Sequence, residues 1–150
     1  MLRNVGGVVL GYLVMAVFMF ITLTIAYKVM GTDRAFEFDT YDVTGLWIVT
    51  GVVLSLLAAI LGGLLCALVT RGGKAPYVLA GVVFVLGIVA ALPSVMSEVA
   101  PQVGTRPAEV GIMEAMRNAR EPKWLSLLSP VLSALGVVLG ARTRVGRKTV

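Results

Sequence analysis

Four long stretches without a charged residue constrain this chain more than any other feature of its sequence. They cover residues 5–27, 46–70, 77–97 and 124–141. Because an α-helix rises about 1.5 Å per residue, stretches of this length can cross a hydrocarbon core of about 30 Å. A soluble helix bundle would instead carry polar residues along every helix. The sequence therefore predicts an all-α integral membrane protein, a single domain built as a four-helix up-down bundle. Because the connecting segments are short, each helix is expected to lie beside its successor.

The first and last stretches each admit a second interpretation. Arg3 precedes the first stretch, as in a signal peptide. The apolar part of a signal peptide has only about 7–15 residues and ends in a small-residue cleavage site, so we interpret this longer stretch as a membrane helix. The last stretch is the shortest and is near the lower limit for a spanning helix. A re-entrant hairpin is its alternative.

Basic residues collect in the segments that meet at one side of the predicted membrane. The N-terminus, the turn at 71–76 and the tail at 142–150 contain seven basic residues and no acidic one: Arg3, Arg71, Lys74, Arg142, Arg144, Arg147 and Lys148. The loops at 31–45 and 98–123 hold all 8 acidic residues. Short cytoplasmic segments of membrane proteins are enriched in Lys and Arg. The sequence therefore predicts a bacterial cytoplasmic (inner) membrane protein with both termini in the cytoplasm.

The second outer loop contains a predicted amphipathic helix at 107–120. Proline is favoured at the first position of a helix, as at Pro107, and Pro122 stops the helix beyond its end. The apolar residues that share one face of this helix are Ile112, Met113 and Met116. We expect the helix to lie flat on the outer membrane surface. The alternatives are a helix free in solvent, a cap on the bundle and a contact with a partner.

Small residues recur at every fourth position of the second predicted helix. They are Gly51, Ser55, Ala59, Gly63 and Ala67. The first and fourth helices each carry a pair with the same spacing, and these pairs are Gly7 with Gly11 and Gly136 with Gly140. Small residues let two helix backbones approach closely, which matters in lipid because the hydrophobic force between helices is absent there. The pattern predicts close packing, either inside the bundle or at an interface with a second copy or a membrane-protein partner.

A second candidate site surrounds Pro130 in the fourth predicted helix. Proline has no backbone N–H, so the carbonyl of Ser126 loses its helical partner. The hydroxyls of Ser126, Ser129 and Ser133 can occupy the freed groups, or they can line a narrow polar path. The more ordinary interpretation is a kink whose polar groups are satisfied by neighbouring residues.

Groups that catalysis and metal binding require are scarce. The chain has no histidine and a single cysteine, Cys66, so the commonest general base and the commonest transition-metal ligand are missing. The acidic residues of the first outer loop lack the fixed spacing of a Ca²⁺ loop. The basic residues stand at helix ends and form no basic face for nucleic acid. We therefore expect no enzyme activity, metal, cofactor or nucleic-acid partner, and we expect Cys66 to be a buried apolar residue, with palmitoylation as the alternative.

The functional expectation is correspondingly general. The lipid bilayer is the expected surrounding partner. We expect a non-enzymatic scaffold, accessory subunit or regulator that acts through helix–helix packing. The alternative is a small transporter or channel for an uncharged or weakly polar solute, and a water-filled space lined by Ser126, Ser129 and Ser133 would favour it.

Overall fold

The computed structural model describes residues 2–38, 40–71, 73–96 and 111–145, and within these ranges the only β-pairing consists of isolated bridges. The helices are α1 (Leu2–Met30), α2 (Thr32–Ala35), α3 (Gly45–Thr70), α4 (Ala75–Met96), α5 (Ile112–Asn118) and α6 (Lys123–Val145). α1, α3, α4 and α6 are long and apolar enough to cross a membrane. The predicted all-α bundle of four membrane helices is confirmed, and the chain is a multi-pass membrane protein.

The ends of the long helices lie in the polar residues that flank the apolar stretches. α1 begins at Leu2 and α6 ends at Val145, because helical backbone hydrogen bonding continues beyond the lipid-facing middle of each helix. α3 begins where the Thr44 hydroxyl oxygen accepts a hydrogen bond from the Trp47 amide at 3.2 Å, as an N-cap does. α6 is unbroken over 23 residues, so the re-entrant alternative for the last stretch is wrong.

The order of the four long helices around the bundle is α1, α3, α6 and α4. α3 packs along both α1 and α6, and α4 packs mainly along α6. The consecutive helices α3 and α4 contact each other little, so the expectation that every helix lies beside its successor is wrong for this pair. The short turn after Arg71 allows this arrangement, since Arg71 takes a left-handed conformation with φ 57° and ends α3 sharply.

The principal core lies in the half of the bundle that contains this turn, which we call the turn end. Its fully buried side chains include Cys66, Leu79 and Val137, contributed by α3, α4 and α6. Cys66 is 0% exposed. It is therefore a buried apolar residue, as expected, and its thiol is not presented for palmitoylation.

A second cluster lies at the opposite end of the bundle, which we call the loop end and define by residues 31–44 and 111–122. Tyr27, Phe36 and Val43 are buried there, and Trp47 packs against them. The ring of Tyr27 meets the rings of Phe36 and Trp47 edge-on, with centroids 6.4 and 6.0 Å apart. This geometry is one that aromatic pairs prefer, and it fixes the first loop against α1 and α3.

The two loops of the loop end are joined to each other by backbone hydrogen bonds. The amide of Arg120 donates to the Tyr41 carbonyl at 2.9 Å, and the amide of Val43 donates to the Arg120 carbonyl at 3.2 Å. The Tyr41 hydroxyl donates to the Glu114 carboxylate at 3.0 Å. Residues 114–120 therefore attach to the first loop.

The predicted loop helix at 107–120 is shorter in the described part of the chain. α5 ends at Asn118, because the Arg120 amide bonds to the first loop and is not available to the helix. The predicted start of the helix, at 107–110, lies outside the described residues. The placement of this segment on the membrane surface stays a prediction.

Candidate ligand-binding cavity at the loop end

The predicted ridge of small residues divides into a closely packed part and an open part. Ala59, Gly63 and Ala67 are buried, and an added Cβ at Gly63 would overlap the backbone carbonyl of Val137 on α6. Gly136 faces Ala59, since a Cβ on this glycine would lie 2.7 Å from the Ala59 Cβ. Backbones therefore meet directly where α3 crosses α6, as small residues permit.

The glycine pair of α1 and the last glycine of α6 extend this close packing. A Cβ at Gly11 would lie 2.9 Å from the Gly62 carbonyl oxygen of α3, and Gly7 faces the side chain of Thr70. A Cβ at Gly140 would overlap the Ile60 carbonyl. Both neighbours of α3 thus approach its backbone, and the turn end is closed around it.

The ridge residues nearest the loop end have a different environment. A Cβ at Gly51 would meet nothing within 4 Å, and Ser55 is only half-buried, its hydroxyl donating to the Val52 carbonyl at 2.9 Å. Both residues line a partly open cavity of about 280 Å³ that is bordered by α1, α3, α6 and the two loops. We call it the loop-end cavity. The ridge therefore packs closely at the turn end and borders a cavity at the loop end.

The walls of the loop-end cavity are mostly apolar and include three aromatic rings. Met19 and Tyr27 contribute from α1, Trp47 from α3, Phe36 from the first loop and Leu125 from α6. The edge-on contacts described above hold the rings in place. An apolar cavity with few polar groups is the usual form of a small-molecule binding site.

Glu121 contributes the one carboxylate among the described lining residues. It lies directly before α6, and its side chain forms no hydrogen bond or ion pair within the described part of the chain. The residue is exposed at the cavity rim. Partial desolvation of its carboxyl group raises the pKa of Glu121 above its usual range, because loss of surrounding water disfavours the charged form.

The predicted polar path forms a separate, shallower groove of about 320 Å³ between α4 and α6. From α6 this α4–α6 groove is lined by Ser126, Ser129, Pro130 and Ser133, and from α4 by Val83, Gly87, Ala90 and Ala91. All four residues predicted for the path therefore share one surface. The Ser129 hydroxyl also donates to the Leu125 carbonyl at 2.8 Å, so the helix itself satisfies this donor.

The loop-end cavity and the α4–α6 groove meet at two residues. Ser129 and Glu121 line both. The groove passes from this junction to Ser133, ten residues into α6 from Lys123, which is about 15 Å along the helix. The cavity and the groove are therefore adjacent near the loop end, whereas the turn end is closed by the glycine contacts.

The cavity could be predicted only in part from the sequence. The small-residue pattern predicts close packing for Gly51 and Ser55, but both line the cavity. The sequence gives no signal that Glu121 lies at the rim. The signals that point to the cavity are the aromatic residues at the loop-side ends of α1 and α3, Tyr27 and Trp47, whose rings meet edge-on.

The described residues contain no group of three or more His, Cys, Asp or Glu side chains that could hold a metal ion. No family model, curated protein or solved structure matches this chain. The described lining of the site is apolar and partly aromatic, with one carboxylate at its rim.

Proposed function

We propose that this chain is a non-enzymatic accessory subunit or regulator that binds a small lipophilic molecule in its loop-end cavity. We place it in a bacterial cytoplasmic membrane with both termini in the cytoplasm, on the basis of the charge asymmetry between its loops. The observation that carries the proposal is a largely apolar cavity of about 280 Å³ above a closely packed half-bundle. Such an enclosure favours binding over conduction.

The coupling of the cavity to the loops supports a regulatory role. Phe36 belongs to the first loop and Ala119 to the second, and both line the cavity. The two loops are joined through the backbone of Arg120. A bound molecule would contact both loops at once. Its binding energy can therefore order the loop surface to which a membrane partner would bind. In this proposal the helix-packing ridge stabilises the bundle itself, and the loop end binds the partner.

The test uses the fluorescence of Trp47, which lines the cavity. Trp124 is the other tryptophan and is 58% exposed, so Trp124→Phe leaves Trp47 as the single emitter without disturbing the core. The probe is 1-bromo-4-neopentylbenzene, an uncharged molecule whose bromine quenches indole fluorescence on contact. We expect saturable quenching of the purified full chain in dodecyl maltoside.

A matched pair of glycine substitutions shows whether the quenching comes from the cavity. Gly51→Phe should abolish the saturable component, because Gly51 lines the cavity and its added side chain has room to fill it. Gly81→Phe is the control, since Gly81 is exposed on α4 and also has nothing within 4 Å of an added Cβ. Equal saturable quenching in both variants would refute the binding proposal.

A small transporter for an uncharged or weakly polar solute is the second candidate. The junction of the cavity with the serine-lined groove at Ser129 favours it, because a solute could move between the two. Transport requires the turn end to open. Solute flux into proteoliposomes above that of protein-free liposomes supports transport. Flux equal to that of protein-free liposomes excludes it.

A further inference from the structure

Three aromatic rings and one carboxylate line the same cavity. This combination determines which ligand charge the cavity favours. Tyr27, Phe36 and Trp47 contribute the rings and Glu121 the carboxylate. The face of an aromatic ring carries partial negative charge and attracts cations, most strongly for tryptophan. Both kinds of group therefore favour a positive ligand.

The Glu121 carboxylate has no cationic partner within the described part of the chain. Lys123 is two residues away, but its ammonium group donates to the Val95 carbonyl at 3.4 Å. No lysine or arginine is among the described residues that line the cavity. A cationic ligand at the cavity rim would supply the counter-ion that the Glu121 carboxylate lacks within the described part of the chain.

From this arrangement we propose that the loop-end cavity binds a lipophilic ammonium ion. The cationic centre lies against the Glu121 carboxylate and the aromatic rings, and the apolar part of the ion lies along Met19 and Leu125. This proposal rests on the binding function proposed above and narrows its ligand from any lipophilic molecule to one chemical class. The cavity volume of about 280 Å³ is at the lower end of ligand sites. It suits one aryl or short alkyl group on the nitrogen.

Other ligand classes fit the site less well. An anion would meet repulsion from Glu121 and from the ring faces. A zwitterionic phospholipid headgroup would bring a phosphate into a cavity whose described lining has no cation to receive it. A neutral molecule would leave the carboxylate without a partner. The α4–α6 groove lies beside the cavity and shares Glu121 and Ser129 with it.

The test compares two probes of the same shape that differ by one charge. These are 4-bromobenzyltrimethylammonium and its uncharged isostere 1-bromo-4-neopentylbenzene, in which carbon replaces the ammonium nitrogen. Both are titrated against the Trp124→Phe chain in dodecyl maltoside, with saturable quenching of Trp47 as the readout. We expect the cation to bind about tenfold more tightly than the isostere, which corresponds to about 1.4 kcal/mol.

Glu121→Gln should lower the affinity for the cation about tenfold and leave that for the isostere unchanged. Glu37→Gln is the matched control, because it removes the same charge from an exposed residue that does not line the cavity. Its affinities should equal those of the parent chain.

The outcomes separate this inference from the binding function on which it rests. If both probes bind saturably with equal affinity, or if Glu121→Gln leaves the preference intact, the ammonium proposal is wrong and the binding function stands. If neither probe quenches Trp47 saturably, both fail. If the control Glu37→Gln reproduces the loss, the preference comes from net charge and the assigned site is wrong.

Discussion

Gly63→Ala should destabilise the bundle because the added methyl group has backbone on the opposite side. Its Cβ would lie 2.8 Å from the Val137 Cα and would overlap the Val137 carbonyl. Carbon atoms pack at about 3.5–4.0 Å, so α3 and α6 must move apart by more than half an ångström at this point. Neither contact atom belongs to a flexible side chain that could turn away. The cost should therefore reach the upper part of the usual overpacking range, about 2–3 kcal/mol.

The sign of this effect distinguishes a packed glycine from a lipid-facing one. Gly81→Ala adds the same methyl group to α4, where nothing lies within 4 Å, and alanine is the better helix former by about 1 kcal/mol or less. Reversible unfolding in mixed micelles should give a lower midpoint for Gly63→Ala and an equal or higher one for Gly81→Ala. Gly63→Leu should likewise cost more than Leu64→Ala. Equal midpoints for the two alanine variants would refute the assigned contact between α3 and α6.

Three further predictions concern orientation, protonation and the loop helix. Reporter fusions that are active only outside the cytoplasm should be active at Thr40 and silent after Val150, and activity after Val150 would overturn the topology. Affinity for the ammonium probe should fall as the pH decreases, and the fall should begin above the usual carboxyl pKa of about 4.3. Desolvation raises the pKa of Glu121, so its carboxylate is protonated at a higher pH than an ordinary glutamate. An affinity that does not change with pH in the parent chain would contradict this. Spin labels at Met113 and Arg117 in lipid discs should differ in exposure to a water-soluble quencher, with the label at Met113 more protected if α5 lies on the membrane, and equal high exposure would exclude that placement.

The membrane bundle could be predicted because its determinants are local. A charge-free stretch of about 20 residues has few alternatives to a spanning helix, since every backbone polar group in lipid must be paired within the segment. The neighbours of each helix in the bundle could not be predicted from local sequence in the same way. The short connection between α3 and α4 predicted that they would lie together, but α3 packs mainly along α1 and α6, because the glycines at 63 and 140 let α6 come closer.

The loop end was harder to predict because its structure depends on contacts between segments far apart in sequence. The helix signals around Pro107 and Pro122 correctly predicted a helix in this loop. The predicted C-terminal end, at residue 120, lies beyond the observed end of α5 at Asn118. Periodicity gave no sign that Arg120 would pair with the first loop. That pairing ends α5 before Arg120, and Glu121 then lies at the cavity rim.

The cavity follows from the same ridge that closes the bundle, because two straight helices that cross can touch over only part of their length. Gly63, where α3 meets α6, and Gly51, which lines the cavity, are separated by twelve positions, or about 18 Å along the helix. For straight helices at a crossing angle of about 20°, usual in helix bundles, the sideways offset at that distance would be about 6 Å. A ridge of small residues that continues past the contact then borders a cavity instead of a neighbouring backbone. The aromatic side chains of Tyr27, Phe36 and Trp47 border this cavity without filling it, so the regular spacing that closes one end of the bundle leaves a cavity at the other.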